Sequence, residues 1–130
     1  MSLDLLFDTH SFIWWADKPS KLSRAAVAAL ENESNRLFVS DASIWEMQIK
    51  VQLGKMKLKM PLGNLIESQK RDNEVEILPI TTDHILALDN LPFYHKDPFD
   101  RMLIAQSIAE NFAIVTVDPE FAEYSANLLW

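Results

Sequence analysis

The chain has 130 residues, of which 48% are hydrophobic and none is cysteine, and it carries a formal net charge of −7. That size and apolar content suit one domain spanning residues 1–130 with a sizeable core, and argue against wholesale disorder. The missing cysteines exclude disulfides, thiolate metal sites and a cysteine nucleophile, and the acidic balance argues against a simple nucleic-acid coat protein, which is usually basic.

Leu3 to Phe7 reads as a buried strand and Thr9 to Ala16 as the helix after it. Ser23 or Ser20 is placed to cap a second helix through Ala25-Ala26-Val27-Ala28-Ala29-Leu30, and Arg36 to Val39 is a second short strand. Ala42 to Leu53 reads as a helix apolar around most of its girth. Ser43, Glu46 and Lys50, at i, i+3 and i+7, form its one polar stripe. Pro61 opens a segment with Leu62 to Asp72 helical, Val75 to Leu78 is a third strand ended by Pro79, and Thr82 to Asn90 is helical. Asp97-Pro98 opens a helix to Glu110, Ala113 to Val117 is a strong strand, Pro119 begins a short helix, and Leu128 to Trp130 forms a last strand. Gly54 and Gly63 are the only glycines, and the sequence contains no linker-like stretch, repeat or low-complexity segment.

Strands separated by helical stretches imply parallel pairing, hence a three-layer α/β/α sandwich around a mostly parallel sheet of about five strands. Unbroken apolar runs in the strands fit a sheet covered on both faces. No apolar run approaches the roughly 20 residues that span a bilayer. Met1-Ser2-Leu3-Asp4 carries no basic region ahead of its apolar stretch, which argues against a secretory signal. A cytoplasmic protein without membrane contact is expected.

Four acids stand where apolar runs stop. Asp8 follows Leu5-Leu6-Phe7, Asp118 follows Ile114-Val115-Thr116-Val117, Asp100 lies in Asp97-Pro98-Phe99-Asp100-Arg101, and Glu46 falls just past Leu37-Phe38-Val39. In a parallel α/β sheet the strand ends share one edge, where ligands bind. Each acid alone has an ordinary explanation: Asp8, Asp97 and Asp118 as helix caps, Asp100 as a first-turn carboxylate, Glu46 as a partner for Lys50 four residues on. Together they change the reading. Two carboxylates at 4 Å repel by about 4 kcal/mol at an effective dielectric of 20. A cluster of them calls for protonation or a cation, and magnesium or manganese suits an all-oxygen site.

These segments resemble the PIN-domain ribonucleases, and more narrowly the VapC-type toxins of type II toxin–antitoxin pairs. The resemblance is carried by Leu6-Phe7-Asp8-Thr9-His10, Ser40-Asp41-Ala42-Ser43-Ile44-Trp45-Glu46, His95-Lys96-Asp97-Pro98-Phe99-Asp100-Arg101-Met102-Leu103-Ile104-Ala105-Gln106, and Val115-Thr116-Val117-Asp118-Pro119-Glu120-Phe121. It implies a PIN-like fold and metal-dependent hydrolysis of RNA phosphodiester bonds, with water as nucleophile and products bearing 5′-phosphate and 3′-hydroxyl ends. By the same resemblance Asp8, Glu46, Asp100 and Asp118 are the catalytic and metal-binding acids, holding one or two Mg²⁺ with Mn²⁺ as a substitute. Thr116 matches a supporting hydroxyl, Ser43 supports Glu46, and Asp97 is a fifth acid whose capping role ranks first. An RNA substrate, a cognate antitoxin that brings a basic side chain near the acids, and a homodimer are the implied partners.

Lys55-Met56-Lys57-Leu58-Lys59-Met60 alternates strictly, and no acid occurs between Glu46 and Glu67. Lys50, Lys55, Lys57 and Lys59 could track an RNA backbone, although a solvated charged face is the commoner meaning. Arg101 would pair with Asp100 or contact RNA. His10 is near enough to Asp8 to reach the site, whereas His84 and His95 read as surface or capping residues. Trp14 and Trp15 point about 100° apart on one helix, so one is expected at a subunit interface. Trp45 is expected to pack its own helix rather than stack on a base. Two other readings stand beside the nuclease. An Asp-dependent phosphatase would need a second acid two residues after Asp8, where His10 stands. A non-catalytic acidic interaction module of the same fold would use the acids only as caps.

Overall fold

The computed structural model describes residues 2–130. Its centre is a five-stranded, all-parallel sheet in the order β3-β2-β1-β4-β5. The strands are β1 (Asp4–Phe7), β2 (Arg36–Ser40), β3 (Glu76–Leu78), β4 (Ala113–Val115) and β5 (Asn127–Leu129). The helices are α1 (Thr9–Asp17), α2 (Arg24–Glu31), α3 (Asp41–Gln52), α4 (Leu62–Asp72), α5 (Thr82–Ala87) and α6 (Pro98–Glu110).

The strands are short; the central three, β1, β2 and β4, are buried on both faces, and the edge strands β3 and β5 are largely exposed. Leu5, Phe7, Leu37, Val39 and Val115 meet α1, α2 and α4 through Phe12, Ala26, Leu30 and Leu65. Their neighbours Leu6, Phe38 and Ile114 meet α6 through Met102, Leu103 and Ile104. Period-two alternation thus supplies two cores from one sheet, and the three-layer architecture expected from the strand–helix alternation is the one observed. No described helix is long and apolar enough to cross a membrane.

Two elements are shorter than expected by two residues or more, each for a local reason. The strand expected to reach Val117 ends at Val115. The Thr116 hydroxyl accepts the Asp118 N–H at 3.0 Å and turns the chain. The helix expected to run from Thr82 to Asn90 stops at Ala87 and tightens into a 3₁₀ turn, Leu88–Asn90. The buried Arg101 guanidinium donates to the carbonyls of Pro92 (2.8 Å), Leu91 (3.3 Å) and Leu88 (3.5 Å), taking up the acceptors that end a helix.

The caps follow the sequence closely. Asp8, Ser23, Asp97 and Asp118 each accept backbone N–H groups at the start of the element they precede. Ser40 does the same for α3 and also donates to the Gln106 side chain at 2.6 Å, both residues being wholly buried. That bond ties the end of β2 to α6. Ser40→Ala is expected to lose the cap and strand a buried amide oxygen, costing about 1–3 kcal/mol. A lower urea midpoint at unchanged m-value would show it.

Candidate active site

In the strand order, β1 has β2 on one side and β4 on the other, and the chain reverses its direction of travel across the sheet there. Beyond the carboxyl ends of β1 and β4 lies a cleft of about 370 Å³. It is lined by Asp8, Thr9, His10, Trp14, Glu46, Lys50, Asp97, Asp100, Val117 and Asp118. The four expected acids therefore meet in one place, from four separate stretches of chain. With Asp97 they make five carboxylates against the single ammonium of Lys50, so the lining as built attracts a cation. A broader depression of about 1450 Å³ lies at the opposite edge of the sheet. Two of its ion pairs are Arg36 with Glu76 at 2.9 Å and Arg71 with Asp72 at 3.0 Å, and none of the four expected acids lines it.

Each acid is fixed by a local contact. Asp8 is 6% exposed, and its Oδ1 accepts the Ser11 N–H at 2.8 Å as the cap of α1. Glu46 projects from the second turn of α3 and is held at both oxygens. The Thr9 hydroxyl donates to Oε1 at 2.7 Å, and Lys50 Nζ lies 2.8 Å from Oε2. Ser43 stands 3.0 Å from the same Thr9 hydroxyl. The polar stripe of α3 is thus turned inward, with Ser43 and Glu46 buried. Asp97 Oδ1 accepts from Phe99 N–H (2.8 Å) and Asp100 N–H (3.0 Å), so its capping role is real although it also faces the cleft. Asp118 Oδ1 accepts from Glu120 N–H at 2.9 Å, and Thr116 fixes the backbone of Asp118 from behind.

Crowding has an electrostatic signature. The Asp100 carboxyl is pushed up from 3.8 to about 7. Burial is the main cause and the negative charge of Asp97 the next; His95 pulls the other way, and Glu46 and Asp8 add further upward pressure. Lys50 is raised as well, first by its hydrogen bond to Glu46.

Other residues depart from their expected places. His95 is neither a surface residue nor a helix cap: it is 8% exposed, with Nε2 at 2.9 Å from Asp100 Oδ2 and 3.5 Å from Asp118 Oδ2. Its signal in the sequence was its position five residues before Asp100, but only the turn through Lys96 and Asp97 aims it inward. His84 does cap α5, in a reciprocal arrangement with Thr81. Arg101 does not pair with Asp100 and is not among the residues that line the cleft. It is buried on the carbonyls described above, with its guanidinium 4.0 Å from the Phe93 ring centre. Lys50 lines the cleft, but Lys55, Lys57 and Lys59 do not. Lys59 pairs with Asp17 at 2.6 Å, and Met56 and Leu58 pack on the core, so the alternating stretch has a structural use. Trp45 is 61% exposed, touching Phe99 edge-on rather than covering its own helix. Trp14 and Trp15 are both half-buried, and Trp14 packs on Trp130.

The raised Asp100 makes stability depend on pH in a definite direction. Between 3.8 and about 7 the folded chain keeps a proton that the unfolded chain releases. Stability from this group is therefore full at low pH and falls as pH rises through that window. Asp100→Asn, which cannot ionise, is expected to be more stable than the parent in metal-free buffer at pH 8, by on the order of 1 kcal/mol. The gap should close toward pH 4. Thermal unfolding across pH measures it, and a large destabilisation at pH 8 would make Asp100 a structural residue.

Comparison with known proteins agrees with this geometry. The PIN domain pattern matches residues 5–127. Ribonuclease VapC22 of Mycobacterium tuberculosis is 30% identical over 115 residues, covering 88% of this chain and 86% of that protein. Among solved structures, VapBC2 from Rickettsia felis bound to a DNA fragment from its promoter superposes with a TM-score of 0.74 at 17% identity, over 97% of each chain. VapBC-1 from nontypeable Haemophilus influenzae gives 0.65 at 14% identity, over 97% of this chain and 96% of that one. The sheet order, the carboxylate cleft and a pattern match along nearly the whole sequence agree, and the chain belongs to the PIN-domain family.

Proposed function

We propose that this chain is a metal-dependent endoribonuclease acting as the toxin of a toxin–antitoxin pair. The observation that carries the proposal is the cleft itself. Asp8, Glu46, Asp100 and Asp118 converge there, and burial together with the negative charge of Asp97 raises the Asp100 carboxyl to about 7. A lone cap or ion pair would leave no such excess of negative charge. The relative from Mycobacterium tuberculosis is a ribonuclease, which supports RNA as the substrate.

The donors fit Mg²⁺ or Mn²⁺. They are carboxylate oxygens around a buried histidine nitrogen that has no aligned hydrogen-bond partner. Asp8, Asp100 and Asp118 would hold the ion. Glu46, already engaged at both oxygens, would reach it through water or by releasing Lys50. A bound divalent ion supplies Lewis acidity toward a phosphate oxygen and lowers the pKa of coordinated water. The protein's own part is to hold the carboxylates in place. Thr9 and Ser43 orient Glu46, Thr116 sets the turn that presents Asp118, and Asp97 anchors the helix start that carries Asp100. Lys50 is the one lining ammonium placed to meet a phosphate.

A protein partner is part of the same proposal. The superposed structures are VapBC assemblies, and a net charge of −7 favours a cationic binding segment. A homodimer and a cytoplasmic location remain expectations of the reading.

Purified protein is expected to cleave RNA in Mg²⁺ or Mn²⁺ and to stop when the metal is chelated. Asp8→Asn or Asp118→Asn should lower the rate by on the order of 10²-fold or more, as loss of a charge-stabilising group in an active site does. Cleavage that survives chelation or Asp8→Asn would overturn the assignment, and hydrolysis of small phosphomonoesters in its place would favour a phosphatase. Millimolar Mn²⁺ without RNA should also raise the melting temperature, because a ligand bound only to the native state adds stability.

A further inference from the structure

Buried beside Asp100 and Asp118, two acids of the cleft, is one polar atom that the carboxylate chemistry leaves unused. His95 Nε2 is fully enclosed and has no well-aligned hydrogen-bond partner, although Asp100 Oδ2 stands at 2.9 Å and Asp118 Oδ2 at 3.5 Å. A buried, unpaired nitrogen is costly. Neighbouring ligands of an octahedral ion at roughly 2.1 Å stand about 3 Å apart, so these spacings suit donors that share an ion.

The other side of the ring fits the same purpose. Ligation through Nε2 needs the ring proton on Nδ1, and Glu120 Oε2 stands 3.2 Å from Nδ1, placed to accept it. Metal-bound histidines commonly give their second N–H to a carboxylate. With the proton on Nε2 instead, Nδ1 accepts the Asp97 N–H at 3.2 Å, so both tautomers have a partner. The ring is held in position by its backbone N–H, which donates to the Tyr124 hydroxyl at 2.9 Å, and by edge-on packing against Phe121.

Resting on the reading that the cleft binds a divalent cation, we infer that His95 is a ligand of that ion, forming with Asp100 and Asp118 a mixed nitrogen–oxygen site whose imidazole is oriented by Glu120. Imidazole suits first-row transition metals, whereas Mg²⁺ prefers oxygen and water. The site is therefore selective for Mn²⁺ over Mg²⁺ beyond what carboxylates alone would give.

The test is pulsed EPR of Mn²⁺ bound to the full chain without RNA, with natural and ¹⁵N-histidine-labelled protein, alongside Mn²⁺ and Mg²⁺ titrations. The wild type should show directly coordinated nitrogen that changes on labelling. His95→Gln should lose it and bind Mn²⁺ about tenfold more weakly, within the range known for altered metal surroundings, with Mg²⁺ affinity changed much less. His10 lines the cleft, so His10→Asn must keep the nitrogen signal. Its loss there would move the ligand to His10 and overturn the proposal. The wild-type and His10→Asn spectra decide the matter even if His95→Gln folds poorly, which circular dichroism would show. Mn²⁺ binding that is abolished by Asp100→Asn yet shows no nitrogen coupling would overturn the role of His95 alone. No Mn²⁺ binding at millimolar concentration would overturn the cation site as a whole.

Discussion

Parallel strands aim every carboxyl end at the same edge, and this chain follows β1 and β4 with aspartates at that edge. The repulsion that results is the constraint on which the rest of the site depends. Burial adds to the strain, and pairing with Lys50 relieves only Glu46. Asp100 carries the remainder as a carboxyl that ionises only near neutrality. A fold worth about 5–15 kcal/mol in all can keep such a cluster only if neighbouring contacts over-determine its geometry.

Those contacts come from elements far apart in sequence. Ser11 donates its hydroxyl to the Val115 carbonyl at 2.8 Å, and the Asp8 N–H reaches the same carbonyl at 3.2 Å. The start of α1 is thereby fastened to the end of β4, so Asp8 and Asp118 keep their separation. The opposite wall is secured by Arg101. Its charge is used on main-chain acceptors and on the Phe93 ring. An arginine beside the acids would have neutralised them; its burial one position away leaves their charge available.

Helix α3 departs from the usual arrangement of an amphipathic helix at its centre. Its hydroxyl and carboxylate, Ser43 and Glu46, are inside, while Trp45 and Val51 are exposed. The inward stripe is what delivers Glu46 to the cleft. The same rotation leaves Trp45 and Val51 on the solvent side beside Asp41, Gln48 and Gln52.

The sequence by itself determined the element order, the caps and the identities of the converging acids. Hydrophobic periodicity, Asp-Pro and Ser signals act within a few residues, and the positions of Asp8, Asp97, Asp100 and Asp118 relative to them are local facts. The parallel sheet followed from strand–helix alternation, because parallel strands require a crossover. Only the tertiary structure decided the inward rotation of α3, the burial of Arg101 on the Leu88–Pro92 carbonyls, the use of Lys59 to hold Asp17, and the entry of His95 between Asp100 and Asp118. Each of these depends on groups brought together from distant segments or on the path of a loop, and such contacts leave no periodicity or spacing in the chain to read.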